Sequence, residues 1–255
     1  MVSLYSQTFL CADQKTSPQD TRTISLEEFA HTISLVPSIL KVRIPHPNNA
    51  NLICENSAAC FPIHVTQNGK TRGASFIANH HTFTLRDSLD RIILEVDSGR
   101  VFRNANDTVI AVRVKVIAKN SGLDLVLLEL LIDTFPSQWG KTLIQISLDE
   151  NRDPVLGERV LYSGFPGLMG EDPLQKQNYP LVLDGFVSQS IPGNTHFIVQ
   201  APVFFGSSGS PILSQMDGKF LGIIRAARRG QESLLYATKA SSIRTWLKYV
   251  LYKKY

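Results

Sequence analysis

From Ile39 to Leu235 the chain is a succession of short apolar runs broken by turn residues, and no other feature limits its fold so tightly. Ile39–Ile44 alternates apolar and polar positions, the period-two pattern of a half-buried strand. Phe61–Val65 and Ala74–Ala78 flank Asn68-Gly69, the dipeptide that suits a tight hairpin turn. Further runs follow at Ile92–Val96, Val109–Ile117, Leu125–Leu130, Arg159–Ser163, Leu181–Leu183, Phe186–Ser188, Phe197–Val199 and Phe220–Ile224. Many short strands at such intervals predict an all-β barrel or sandwich. A length of 255 residues suits one large β domain or two small ones.

Helical signals flank this region. Ser25 and Glu28 form a capping box ahead of Leu26, Phe29, Ile33 and Val36, and Pro37 stops the helix they predict. Residues 1–24 before it are polar and read as a loose arm. Beyond the strands, Ser241-Ser242 precede Ile243, Trp246, Leu247, Val250 and Leu251 at helical spacing, which predicts an amphipathic helix docked on the domain.

The bulk properties exclude several classes. A net charge of +4 with scattered basic residues gives no concentrated footprint for nucleic acid. No run nears the ~20 apolar residues of a spanning helix, and the N-terminus lacks the basic and apolar regions of a secretory signal. Three cysteines, Cys11, Cys54 and Cys60, are an odd number and a poor disulfide framework. A cytoplasmic location is therefore expected.

Within the strand-rich region lies Phe205-Gly206-Ser207-Ser208-Gly209-Ser210-Pro211. Glycines around a serine make a tight turn where a hydroxyl and several backbone N–H groups converge, the needs of a nucleophile and an oxyanion site. Core-forming runs on both sides separate it from a flexible linker. A base and its orienter are then required. His81 ends the run Phe76–His80 where a strand gives way to a polar turn. Asp124 opens the apolar run Leu125–Leu128, where a carboxylate is costly unless paired. A histidine N–H would pair it and gain a fixed tautomer.

On these motifs the chain resembles the chymotrypsin-fold serine proteases, specifically the HtrA-type and glutamyl-endopeptidase-type branches. Ala78-Asn79-His80-His81 matches a Thr-Asn-x-His run, and Asp124–Leu130 matches Asp-Leu-Ala-Leu-Leu-x-Leu. Gly157–Pro166, Gly185–Ser188 and Gly206–Pro211 follow in the family's order, so the resemblance covers about residues 38–240. It implies two perpendicular six-stranded antiparallel β-barrels, at about 38–131 and 151–237, with a short N-terminal helix before them and a C-terminal helix at 241–255. It also implies a serine endopeptidase of protein or peptide substrates. Ser208 is its nucleophile, His81 its base and Asp124 the orienter of His81, with Gly206, Ser207 and Ser208 forming the oxyanion hole. The ~15 residues after the barrels leave no room for a PDZ domain.

Some readings stay open at this level. In a second register Gly73–Ile77 is the strand before the histidine position, which then falls on Ser88; that chain would be an inactive protease-fold binding module. A processing protease cut from a polyprotein is another reading, against which Met1 and the closing helix count. Ser207 replaces the aspartate that pairs with a newly cut N-terminus in zymogen-activated members, so activation by clipping is not expected. Val203, Phe205, Arg225, Ala226 and Ala227 stand at the substrate pocket. They lack a carboxylate for a basic P1 side chain and suit a small or medium apolar one, although Arg225 or Arg228 could select an acidic residue instead. The pair His80-His81 does not make a metal site, because neighbours on a strand point to opposite sides. No cofactor is expected, and residues 1–37 are left as a candidate contact for a regulator.

Overall fold

The structure, a computed structural model, describes residues 37–68, 70–105, 108–131, 143–150, 152–165, 180–203, 206–228 and 231–252. The arm and short helix expected before Pro37 lie outside these, as does Phe205. The first strands are β1 (Ser38–His46), β2 (Asn49–Gln67), β3 (Lys70–Asn79), β4 (Thr84–Arg86), β5 (Ile92–Glu95), β6 (Ser98–Ala105), β7 (Thr108–Asn120) and β8 (Leu125–Leu130). A 3-10 turn, His80–Phe83, follows β3. After β9 (Ile144–Ser147) come β10 (Arg159–Gly164), β11 (Leu181–Ser190), β12 (His196–Gln200), β13 (Pro211–Ser214), β14 (Phe220–Arg228), β15 (Gln231–Lys239) and helix α1 (Ala240–Tyr252).

Strands β1, β6, β7, β8, β3 and β2 pair in that order, and β1 closes on β2, giving a six-stranded antiparallel barrel. The second barrel runs β10-β11-β12-β15-β14-β13 and is also closed and antiparallel. The expected chymotrypsin-like pair of barrels is present. Strands β4, β6, β9 and β15 were not among the runs read from the sequence; of these β9, in the connection between barrels, lies parallel to β2 with Ile63 opposite Ile144.

Side-chain alternation explains why the barrels stay together. On β8, Val126 and Leu128 fill the first barrel while Leu125 and Leu127 face away from it. On β10, Val160 and Tyr162 fill the second barrel while Leu161 faces outward. The outward residues of both barrels form a shared core with Phe61, Ile77, Leu213 and Ile223. The Phe61 and Phe220 rings meet there at 5.8 Å. A strand buried on both faces has no polar alternation, hence the continuous run Leu125–Leu128.

Helix α1 covers this shared core with Ile243, Trp246 and Leu247, the residues whose spacing predicted it. Its position is fixed by charge as well. The buried Arg244 donates through Nη2 to Glu150 Oε2 at 2.8 Å, and the buried Lys239 just before it donates to Asp153 Oδ2 at 3.2 Å. Among the described residues no helix is long and apolar enough to cross a membrane.

Candidate active site

The site is built where β3 and β8 run side by side, with Asn79 opposite Leu125. Asp124 immediately precedes β8 and has φ 57°, a left-handed conformation that aspartate tolerates better than most residues. Its carbonyl accepts from the His80 N–H at 3.1 Å and from Asn79 Nδ2 at 3.2 Å. With the backbone so held, the carboxylate reaches the 3-10 turn. Oδ1 accepts from the His81 N–H at 2.9 Å, and Oδ2 accepts from His81 Nδ1 at 2.7 Å.

A carboxylate only accepts, so the His81 proton sits on Nδ1 and Nε2 keeps a free lone pair. Asp124 is 5% exposed, whereas the His81 side chain is 37% exposed and open to a reactant. The turn is braced from behind. Thr84 Oγ1 donates to the His81 carbonyl at 3.0 Å, and Asn56 Nδ2 donates to the carbonyls of Thr82 and Thr84 at 3.1 Å each. Neighbouring His80 is buried and turned the other way, donating through Nε2 to Glu95 Oε1 at 3.0 Å. Burial alone would raise the Glu95 carboxyl, but its bonds from Lys119 and His80 hold it below the usual carboxylate range. His80 and His81 thus serve separate contacts, and no group of metal-ligating side chains forms among the described residues. Ser88, the histidine position of the second register, lies in an exposed turn between β4 and β5.

The second barrel brings the serine turn against the first, beside Ala59 and Asn79. Ser208 accepts through its carbonyl from the Ala59 N–H of β2 at 2.9 Å, a direct link between barrels. Gly209, at φ 84°, donates to the Ile224 carbonyl at 2.9 Å; a Cβ there would collide with the Ala59 carbonyl. Gly206 is left-handed as well, at φ 96°. Among the described residues the N–H groups of Gly206, Ser207 and Ser208 make no backbone hydrogen bond. Beneath the turn, the Tyr162 hydroxyl donates to the Pro202 carbonyl, and burial pushes that phenol up despite a hydrogen bond from Ser207. Among the described residues no hydrogen bond joins Ser208 Oγ to His81; such bonds commonly tighten only with substrate bound.

Of the residues expected at a substrate pocket, Val203 is half-buried against the second-barrel core and Ala226 is exposed. Ala227 pairs with Leu235 in the ladder, and nothing is described of its side chain. Arg225 is turned toward the first barrel. Its Nε lies 3.8 Å from Asp124 Oδ2, and its Nη1 donates to His196 Nε2 at 2.9 Å. His196, Ala59, Asn79 and Tyr162 were not singled out from the sequence as parts of the site. Asn79 and Tyr162 fell inside quoted motifs, but His196 carried no signal, because its partner is 29 residues away on another strand.

A family model described as a trypsin-like peptidase domain matches residues 63–223. No curated protein matches the chain in sequence. Among solved structures the serine endoprotease from Yersinia pestis is similar, with a TM-score of 0.58 and 15% identity over 89% of this chain and 67% of that one. At that identity the likeness speaks for the fold alone.

Proposed function

The chain belongs to the trypsin-like peptidase family, and from that premise we propose that it is a serine endopeptidase acting through Ser208, His81 and Asp124. The observation that carries this reading is the two-point bond between Asp124 and His81, which leaves His81 Nε2 free as a base on the open side of the cleft. Ser208 Oγ attacks a peptide carbonyl while His81 Nε2 takes its proton. The oxyanion that forms on the former carbonyl oxygen is met by the N–H groups of Gly206 and Ser208, with Ser207 beside them. Collapse of that intermediate breaks the C–N bond, and the imidazolium returns its proton to the leaving amine. Water then releases the acyl group by the same path, and Asp124 stabilises the imidazolium in both halves.

The pocket residues favour a small or medium apolar P1 side chain. Val203 and Ala226 bring no charge, and the Arg225 cation disfavours a basic P1 residue. The test is labelling by a fluorophosphonate probe, which reacts only with an activated serine, on wild type, His81→Ala and Ser208→Ala. Labelling of wild type alone is expected. A folded wild type that stays unlabelled would replace this reading with the inactive binding module. The protein substrate and any partner reached through residues 1–37 follow from the labelled enzyme by peptide-library digestion and pull-down.

A further inference from the structure

Asp124 is the only orienting carboxylate the proposed mechanism uses, yet it has a second neighbour that this mechanism leaves without a role. Arg225 sits at a β-bulge: Ile224 pairs with Ala237 and Ala226 with Tyr236, so Arg225 is the extra residue between them. Bulges re-aim a side chain, and here the guanidinium is sent across the cleft into the first barrel. It lies 3.8 Å from Asp124 Oδ2 and donates to the Gly122 carbonyl at 3.5 Å. The same Nη1 donates to His196 Nε2 at 2.9 Å. A guanidinium only donates, so His196 must be neutral at Nε2 and carry its proton on Nδ1. Thr195 Oγ1, 2.7 Å from Nδ1, is placed to accept it.

We infer that Arg225 is a positioning residue that ties Asp124 to the second barrel, and that neutral His196 holds the guanidinium in that place. The inference rests on the proposed peptidase reading for its effect on rate, but not for its geometry. It also removes Arg225 from the residues that would select an acidic P1 side chain. Ser208 rides on the second barrel and His81 on the first, so a tie between Asp124 and β14 bears directly on the register of nucleophile and base. Misplacement by about 1 Å can cost roughly a hundredfold in rate.

The neutral state of His196 has its own support. Burial and the Arg225 cation hold its imidazolium down, against the pull of Asp124. Among the described side chains, the charged groups on the packed elements are few. Asp124 faces it from the first barrel and Arg225 from β14. On β15, Lys239 turns its ammonium away to Asp153 and the Ile191 carbonyl. Protonation of His196 would put an N–H against the guanidinium and abolish the bond. Lowering the pH far enough to charge His196 therefore releases Arg225 from this contact.

The experiment compares wild type with Arg225→Met, Arg225→Lys and His196→Gln in the full chain. Kinetics use matched peptides with an apolar or an acidic P1 residue. Arg225→Met is expected to lower kcat about tenfold on both peptides with KM changed less than about twofold. Arg225→Lys is expected to recover part of that loss, because the ammonium still reaches Asp124 but cannot span both partners. His196→Gln keeps an acceptor that cannot charge, so its activity relative to wild type is expected to rise as the pH falls below 6.5, where the lowered imidazole begins to charge. A loss confined to the acidic-P1 peptide, or to KM, would overturn the inference in favour of substrate selection. A flat ratio for His196→Gln would overturn the role of His196.

Should the wild type prove unreactive, the peptidase reading fails on its own. Imidazole nitrogen NMR still decides the geometry. A His196 Nδ1–H tautomer at pH 7 that is lost in Arg225→Met supports the tie, and a tautomer indifferent to Arg225 refutes it.

Discussion

Asp124 meets His81 twice, once at the backbone N–H and once at ring Nδ1, so one carboxylate fixes both where the imidazole starts and how it turns. Both bonds need an acceptor. Asn at position 124 has a single acceptor oxygen and must lose one bond or force the ring to move its proton to Nε2. Asp124→Asn is expected to fold normally and to lower kcat about 10⁴-fold, measured on a peptide substrate. Retention of more than a tenth of the activity would remove Asp124 from the mechanism.

Direct loss of the nucleophile or base has a larger effect. Ser208→Ala and His81→Ala are each expected to reduce kcat about 10⁶-fold, and the double variant should be no worse than either alone. Stepwise, additive losses in steady-state kinetics would indicate that the two residues do not act as a unit.

Gly209 is where sterics and backbone conformation coincide. Its φ of 84° and its contact with the Ala59 carbonyl both exclude a side chain. Gly209→Ala is expected to cost about 2–4 kcal/mol and to abolish probe labelling even where the chain remains folded. Urea unfolding followed by tryptophan fluorescence reads the first effect.

Trp246 belongs to the helix but fills the core between the barrels. Trp246→Ala is expected to destabilise the protein by about 3–5 kcal/mol. One cooperative unfolding transition should shift as a whole, whereas two separated transitions in calorimetry would show that the barrels unfold independently.

Glu95 supplies a pH dependence. Its carboxyl is held low in the folded state by Lys119 and His80, so the unfolded chain binds the proton more readily. The stability this contributes is present above the unfolded value of 4.5 and is lost as pH falls through the lowered folded value. Glu95→Gln is expected to narrow the stability gap to wild type as pH drops from 6 toward 3. A gap that stays constant in urea titrations at those pH values would contradict the assignment.

Most of the barrel architecture was legible because period-two alternation and turn residues are local signals. Leu125–Leu130 is a strand from its first residue to its last as read. Leu181–Leu183 and Phe186–Ser188 read as two strands because Gly185 interrupts them, yet they form the single strand β11. The glycine is there for packing: a Cβ would stand 2.5 Å from the Gln200 carbonyl of the neighbouring strand. Strand β6 begins Ser98-Gly99-Arg100, without apolar alternation, and acquires its conformation from pairing with β7. In the site, the contact between His81 and Asp124 could be anticipated because each residue sits at an abrupt local change. The brace from His196 could not, since nothing near His196 or Arg225 in the chain marks them as partners. Long-range polar contacts are selected by the fold, and the fold has to be known first.

The position of α1 has a consequence for how the molecule is made. Every strand of both barrels precedes this helix in the chain, yet the core that joins the barrels is covered only when Ile243, Trp246 and Leu247 arrive. During synthesis, a nascent chain whose barrels have emerged still has those residues inside the ribosome. Its two halves can fold, but the lid on their common core is missing. The order of the segments therefore makes the joining of the two barrels a later event than the pairing of strands within either one.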